Sequence, residues 1–182
     1  MPTNDDFHYR VAAFDPTVHD REDFSCGVAQ IDNFISLNAK KQQNADMVRV
    51  RVLLREPEAR VLGFHVLNAH SLDAGELPEA LAKRAPRHGR VPVAYLSMIG
   101  IDLSVQGQAL GELLLMDALQ QIARAAALIG TAAAVLDITN DGDTAALQKR
   151  ARYYARFGFR HFPEQPNRMF VPMAILRQII AR

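Results

Sequence analysis

The stretch Val91-Pro92-Val93-Ala94-Tyr95-Leu96-Ser97-Met98-Ile99-Gly100-Ile101-Asp102, continued by Leu103-Ser104-Val105-Gln106-Gly107-Gln108-Ala109-Leu110-Gly111, decides the fold. Val91, Val93, Ala94, Leu96, Ile99 and Ile101 form a nearly continuous apolar run, the pattern of a strand covered on both faces. From Glu112 to Leu128 the apolar residues follow a helical period. Leu110, Leu113, Leu114, Asp117 and Ala118 trace spacings of three and four, and Leu114, Ala118, Gln121 and Ala125 continue one stripe. The stretch therefore reads as a buried strand, a tight loop and a long helix that the loop opens.

The loop is Gln106-Gly107-Gln108-Ala109-Leu110-Gly111. Small residues let a backbone approach a ligand closely, and successive N–H groups at a helix start suit a phosphate. A plain turn between strand and helix has the same composition, so the loop alone leaves both readings open. No Lys-Ser/Thr pair follows it, which excludes the Walker loop, and the G-x-G-x-x-G spacing of a dinucleotide fingerprint is absent.

The rest of the chain sets the frame. A length of 182 residues predicts one domain with a substantial core. Hydrophobic residues at 49% and charged ones at 23% fit a globular protein rather than a disordered one. A net charge of +1 argues against a surface that is basic throughout and leaves room for local basic patches. The single cysteine, Cys26, excludes an intramolecular disulfide and suits a reducing compartment. The opening MPTNDDFHYR has no signal-peptide core, and the weakly polar run from Ala125 to Leu136 is too short to span a bilayer. The expected location is the cytoplasm, with no membrane association.

In chain order, residues 8–14 predict a first strand and HDREDFSCG a polar turn region. The helix after Gly27 places Val28, Ile31, Phe34 and Ile35 on one face and ends near Lys40 and Lys41, where cations suit the helix dipole. Cys26 reads as a structural thiol at the helix entry, since no histidine partner is indicated. Met47 to Leu54 alternates cleanly: Val48, Val50, Val52 and Leu54 point one way, Arg49, Arg51 and Leu53 the other. Arg49 and Arg51 are expected on a solvated sheet face. Glu56-Pro57-Glu58 forms a turn and Val61 to Leu67 returns antiparallel, with Gly63 at a bulge or a close approach. A loop-rich excursion follows Leu67, with a short helix around Glu79–Arg84. Beyond the central helix, Thr131 to Ile138 predicts another buried strand and Thr139-Asn140-Asp141-Gly142 a turn. Asp143 or Thr144 caps a helix through Arg156, and RMFVPMAILRQII closes the chain with a strand and a helix. This order makes an α/β chain with a mixed sheet, in which a cofactor sits where the central strands diverge at their carboxyl ends. No His/Cys/Asp/Glu set has metal-ligand spacing, so no metal is expected.

Three segments together resemble the GCN5-related N-acetyltransferases (the GNAT family). The loop is similar to that family's acyl-CoA motif, Gln/Arg-x-x-Gly-x-Gly/Ala, with Gln106 and Gly111 at its ends and Ala109 where glycine is usual. Tyr153-Tyr154-Ala155-Arg156-Phe157-Gly158-Phe159 resembles the family's ending Phe-Tyr-Glu-x-Phe-Gly-Phe, with Ala155 in place of the acidic residue. Phe24, Cys26, Gly27, Ile31, Asp32 and Ile35 resemble the opening Phe-x-Cys-Gly…Leu-Asp…Leu of the acetyltransferase toxins of bacterial toxin–antitoxin pairs.

The resemblance implies a GNAT fold, a mixed central sheet flanked by helices, and acetyl-CoA as cosubstrate. Gln106, Gly107, Gln108, Ala109, Leu110, Gly111 and Glu112 would hold its pyrophosphate through the loop and helix-start amides. Backbone groups of Ile99, Gly100 and Ile101 would pair with the pantetheine, and Asn140 is a further candidate contact. Tyr154 would be the general acid for the departing thiolate; packing of an aromatic pair at the helix end is its bland alternative. The toxin resemblance implies the α-amine of an aminoacyl-tRNA as acceptor, a ribbon-helix-helix antitoxin as partner and a homodimer. Lys83, Arg84, Arg87 and Arg90, with Lys149 and Arg150, would contact the tRNA backbone; solvated surface is the other reading of both clusters. Two alternatives stay open: a GNAT that acetylates a small-molecule or protein amine, and a catalytically silent regulator that binds acyl-CoA or a protein partner.

Overall fold

The structure, a computed structural model, describes residues 8–139 and 142–181. Asn140 and the seven residues that open the chain lie outside this range. The elements are β1 (Tyr9–Ala13), α1 (Ala29–Asn33), a π-helical stretch (Phe34–Asn38), α2 (Ala39–Asn44), β2 (Arg49–Arg55) and β3 (Val61–Asp73). A 3-10 turn (Ala74–Glu76), α3 (Glu79–Ala82), β4 (Arg90–Ile101), a second 3-10 turn (Leu103–Val105) and α4 (Leu110–Leu128) follow. The chain closes with β5 (Ala133–Asp137), α5 (Thr144–Ala155), β6 (Arg160–Phe162), β7 (Gln165–Pro172) and α6 (Met173–Ile180). One mixed sheet runs in the order β1-β2-β3-β4-β5-β7-β6. β1, β2 and β3 pair antiparallel, β4 and β5 parallel, and β7 antiparallel to both β5 and β6.

By its internal contacts the chain forms two units. The first takes the chain as far as Asn68 and again over Met98–Ala118; the second takes Ala69–Ser97 and everything from Leu119 on. β3, β4 and α4 each run through both.

The first unit has a sheet with apolar clusters on both faces. Val50, Val52 and Leu54 of β2 join Ile31, Phe34, Ile35 and Ala39 of the α1–α2 segment, with Phe64 and Val66 of β3. Leu53 joins Leu62, Val105, Leu110 and Leu114, so the start of α4 covers the opposite face. Each large side chain removed from water here stabilises the unit by about 1.5–3 kcal/mol. This corrects the solvated face expected for β2. Leu53 is fully buried, and Arg51 is covered by α4, where Asp117 receives it in a two-pronged ion pair. Arg49 is exposed as expected and pairs with Asp46.

Gly63 marks the close approach foreseen for it. The register slips between Leu53 and Leu54, and a Cβ on Gly63 would fall 2.7 Å from Ile101 Cδ1 and 3.0 Å from the Gly100 carbonyl oxygen. No other residue lets β3 lie this tightly against the end of β4.

In the second unit Val91 and Val93 of β4, Ala133 and Val135 of β5, and Phe162 and Phe170 of the β6–β7 hairpin form one cluster with Leu72 and Leu77. Leu81, Ala82 and Ala85, on and after α3, pack against it. Four expectations need correction. The excursion after Leu67 begins as strand: β3 continues to Asp73, because its alternating polar residues pair in a sheet while leaving one side to solvent. The strand β6 went unforeseen; its three residues are too few to carry a period. β4 is not covered throughout, since Pro92 is exposed and Ile99 and Ile101 are half-buried. The buried stripe of α4 is also turned from the expected one. It consists of Leu110, Leu114, Leu115, Ala118, Leu119 and Ile122, while Leu113 and Ala125 are exposed.

Candidate active site

The acyl-CoA-like loop is held from behind. Asp102 ends β4 with a buried carboxylate that accepts the Ser25 N–H at 3.1 Å, the Ser104 N–H at 3.0 Å and the Ser104 hydroxyl. The Leu103 N–H donates to the Ser25 carbonyl at 2.8 Å. Asp32, one helical turn into α1, accepts the Ser25 hydroxyl and the Cys26 N–H, both at 2.8 Å. Burial works to raise the pKa of each carboxylate, but these hydrogen bonds outweigh it and hold both below the ordinary value. Gly100 lies so close that a Cβ would meet Ile31 at 3.0 Å and Cys26 at 3.4 Å. The Phe24-x-Cys26-Gly27…Asp32 opening is thus a latch that fastens the entrance of the first helix to the end of the motif strand. Cys26 serves this packing: burial, then its hydrogen bond with Asp32, pushes the thiol up to about 12, leaving no thiolate near neutrality.

Gln106 belongs to the same latch. Its side-chain amide donates to the Cys26 carbonyl at 3.2 Å and the Ile101 carbonyl at 2.9 Å, so it binds protein rather than facing outward. The turn then passes through positive φ at Gly107 (81°) and at Ala109 (60°). Among the described residues the backbone N–H groups of Gly107, Gln108 and Ala109 donate no hydrogen bond, and the Glu112 N–H returns to the Ala109 carbonyl as α4 begins. Gln108 is exposed, its Oε1 3.5 Å from the Tyr9 hydroxyl. Unpartnered N–H groups followed by a helix of 19 residues suit an anion. On β4, the ladder with β5 ends at Leu96↔Leu136, whereas the strand continues through Ile99 and Gly100 to Ile101.

Tyr154 lies in the second unit, in the last turn of α5, which Asp143 caps through the N–H groups of Ala145 and Ala146. The helix stops in a Schellman turn: the Phe159 N–H reaches the Tyr154 carbonyl at 3.3 Å and the Gly158 N–H the Ala155 carbonyl at 3.0 Å. Gly158 takes φ of 77° there, and a Cβ would meet Ile175 and Ile179 at 3.0 Å. The Tyr-x-x-x-Gly-Phe pattern is therefore a helix stop that fixes the backbone of Tyr154 itself. Its ring packs edge-on against Tyr153 and Phe159, with centroids 5.4 and 5.9 Å away. Burial, then neighbouring Tyr153, pushes the phenol up to about 12 against the opposing charge of Arg150. Tyr154 thus keeps its proton at every physiological pH.

The basic candidates divide. Lys83 pairs with Glu79, Arg90 with Asp73 and Ser71, and Arg150 donates to the Thr139 carbonyl. Arg84, Arg87 and Lys149 are exposed and make no ion pair among the described residues. Asn140 lies outside the described residues. Two polar groups escaped the sequence reading. In the first unit, Asp117 holds Arg51 at 2.7 Å and the buried His65 Nε2 at 2.7 Å. In the second, Asp137 holds Arg168 at 2.7 Å and accepts the Tyr95 hydroxyl at 2.6 Å. An aspartate inside the apolar stripe of α4 was the available signal for the first.

An open depression of about 360 Å3 in the first unit is lined by His19, Asp20, Arg21, Glu22 and Ser36, none of them in the motif loop. Among the described residues no three His, Cys, Asp or Glu side chains gather as metal ligands, and no helix is long and apolar enough to cross a membrane.

No protein-family model matches the chain. A Sinorhizobium fredii protein named "Probable toxin TacT" is 40% identical over 170 residues, covering 93% of this chain and 94% of its own. A Mycobacterium tuberculosis protein named a tRNA-acetylating toxin is 29% identical, covering 86% and 88%. Among solved structures, a tyrosine-to-phenylalanine variant of KacT superposes with a TM-score of 0.82 at 23% identity, covering 94% and 98%. AtaT complexed with acetyl-methionyl-tRNAfMet gives 0.81 at 23%, covering 94% and 99%, and AtaT bound to the C-terminus of its antitoxin AtaR gives 0.76 at 21%, covering 96% and 99%. At these identities the structures establish the fold, and the TacT relative establishes the kinship. The chain belongs to the TacT family of toxins, acetyltransferases built on the GNAT fold.

Proposed function

We propose that this protein transfers the acetyl group of acetyl-CoA to the α-amine of an aminoacyl-tRNA and thereby acts as a translation-blocking toxin. The observation that carries the reading is the 40% identity to TacT across nearly the whole of both chains. Support comes from the relative named as a tRNA-acetylating toxin and from the AtaT structure with acetyl-methionyl-tRNA.

The residues then take these roles. The N–H groups of Gly107, Gln108 and Ala109, with those of Leu110, Gly111 and Glu112 at the start of α4, hold the pyrophosphate of acetyl-CoA. Their lack of protein acceptors at 107–109 supports this. Gln106 holds the loop rather than the ligand. Backbone groups of Ile99, Gly100 and Ile101 pair with the pantetheine, and a backbone N–H near Ile99 polarises the thioester carbonyl. The neutral amine attacks that carbonyl; an α-amine with a pKa of about 8 needs little help at neutral pH. Tyr154 gives its proton to sulfur as the C–S bond breaks, and the proton lost by the amine passes to solvent. Asn140 is proposed as a further contact to the pantetheine.

Arg84, Arg87 and Lys149 are the cations best placed to meet tRNA phosphates, since Lys83, Arg90 and Arg150 already have protein partners. We further propose a single acetyltransferase domain, which the elements shared by both units support, and cytoplasmic action on tRNA. A homodimer and a ribbon-helix-helix antitoxin complete the proposal. The AtaT–AtaR complex and a KacTA–DNA complex support an antitoxin partner. The test is label transfer from acetyl-CoA to freshly charged bulk tRNA, with identification of the acetylated amino acid. Label on one or a few aminoacyl species is expected. Label on polyamines or proteins alone would move the acceptor elsewhere.

A further inference from the structure

The second unit carries a row of planar side chains that the proposed chemistry does not use. His70 on β3, Tyr95 on β4 and Arg168 on β7 lie on strands that follow one another in the sheet, with Asp137 of β5 among them. The His70 and Tyr95 rings are 5.7 Å apart, and His70 is exposed. Asp137 is the common anchor. Its Oδ2 accepts the Tyr95 hydroxyl at 2.6 Å and an Arg168 N–H at 3.0 Å, and its Oδ1 accepts the Arg168 Nε–H at 2.7 Å. Asp137 and Arg168 are also direct cross-strand partners. One carboxylate thus ties the half-buried Tyr95 phenol to the Arg168 guanidinium, beside the exposed His70, and the guanidinium cancels its charge. Arg90 is tied to the adjacent strand by Asp73 and Ser71.

Aromatic and guanidinium planes side by side on a β-sheet, with the Asp137 carboxylate compensated by Arg168, have a definite chemical use. Unpaired bases stack on Tyr, His and Arg planes. We propose that His70, Tyr95 and Arg168, positioned by Asp137, form a stacking platform for the unpaired nucleotides at the 3′ end of the acceptor tRNA. The platform rests on the proposed tRNA acceptor and names the surface that would grip the end of it.

The test separates the two. Binding of a short single-stranded RNA ending in CCA is followed by quenching of tyrosine fluorescence, since the chain has no tryptophan. Acetyl transfer to charged tRNA is measured in parallel. Tyr95→Leu is expected to weaken oligonucleotide binding by on the order of tenfold, the usual loss for one stacked base. Tyr95→Phe, which keeps the ring, should retain most of the affinity. His70→Ala, an exposed change that leaves the fold intact, should cost several-fold. In the transfer assay these variants should raise KM for charged tRNA and leave kcat and the KM for acetyl-CoA unchanged, a split that general destabilisation would not produce. Oligonucleotide affinity equal in wild type, Tyr95→Leu and His70→Ala, or no binding by the wild type, overturns the platform. Absence of transfer to charged tRNA despite a bound oligonucleotide overturns the acceptor reading and leaves the platform standing.

Discussion

The motif loop of the first unit and the helix end of the second present opposite kinds of surface. At the loop, Asp102, Asp32 and Gln106 spend their hydrogen bonds on protein, and the backbone N–H groups of Gly107, Gln108 and Ala109 are left without a protein acceptor. At the end of α5 the backbone works inward, closing a Schellman turn, and what is offered is a side chain, the Tyr154 phenol. Every residue except proline carries an N–H, so the proposed ligand-binding surface of the loop barely depends on which side chains stand at 107–109. It depends instead on residues behind the loop that set its path. The helix end concentrates its proposed chemistry in one atom. Substitutions should therefore hurt the first region from behind and the second from the front.

The largest effect tests the front. Tyr154→Phe keeps the ring packed against Tyr153 and Phe159 and removes only the hydroxyl. Steady-state kinetics should show kcat lowered by roughly 10²–10⁴-fold, the usual worth of a positioned general acid, with KM for acetyl-CoA little changed. Gln108→Ala, at an exposed position of the loop, should change kcat/KM by no more than about threefold, because its N–H remains. If Gln108→Ala proves as damaging as Tyr154→Phe, the loop is read through its side chains and the contrast collapses.

Asp102→Ala attacks the loop from behind. It strips the Ser25 and Ser104 N–H groups of their acceptor at a buried position, which costs about 1–3 kcal/mol of stability in chemical denaturation. Acetyl-CoA should bind several-fold more weakly in calorimetry, although Asp102 is not proposed to touch it. Unchanged affinity would mean that the latch fixes the fold and not the loop.

A smaller effect comes from pH. Burial holds the His65 imidazole below its ordinary pKa of 6.5, more than Asp117 raises it, so the native state keeps it neutral where the unfolded chain would protonate it. Below about pH 6.5 the unfolded state binds the extra proton, and stability falls until the native pKa is reached. His19, buried and likewise lowered, adds in the same direction. The aspartates act only lower, since their depressed values place their losses below their ordinary pKa of 3.8. Thermal melts of the wild type should therefore drop between pH 6.5 and 5. His65→Gln, which keeps an amide donor to Asp117 but does not titrate, should drop less. Parallel curves would assign the whole loss to His19 or to other groups.

The contrast also explains what the sequence disclosed. Motifs that dictate backbone conformation were legible. The helix ending near Arg156, the close approach at Gly63, and the strand, turn and helix of Val91–Gly111 were all read, because local conformation follows from local residue types. Partnerships between distant residues were not. Arg51 alternates with apolar neighbours just as a solvated arginine would, and only Asp117, 66 positions away, makes it a partly buried ion pair. Tyr95 and Arg168 read as filler of an apolar strand and of a tail, because the carboxylate that joins them stands on a third strand. Gln106 matched its motif position while its amide turned inward, a direction that spacing does not encode.

The smallest change is the sharpest probe of the loop. Ala109 stands at φ of 60°, where an L-residue with a Cβ is strained by about 1–2 kcal/mol and glycine is not. Ala109→Gly relieves that strain but gives the unfolded chain more freedom, so the net gain should be about 1 kcal/mol or less, a rise of roughly 2–4 °C in Tm. Affinity for acetyl-CoA is a different matter. If the N–H groups already point outward in the native loop, the strain is borne equally by free and bound protein and cancels in binding. The Kd measured by calorimetry should then stay within about twofold of wild type while Tm rises. A tenfold tighter Kd would mean instead that the methyl group obstructs the pyrophosphate or that the free loop rests elsewhere. The outward-facing backbone, on which the whole contrast depends, would then be wrong at its central residue.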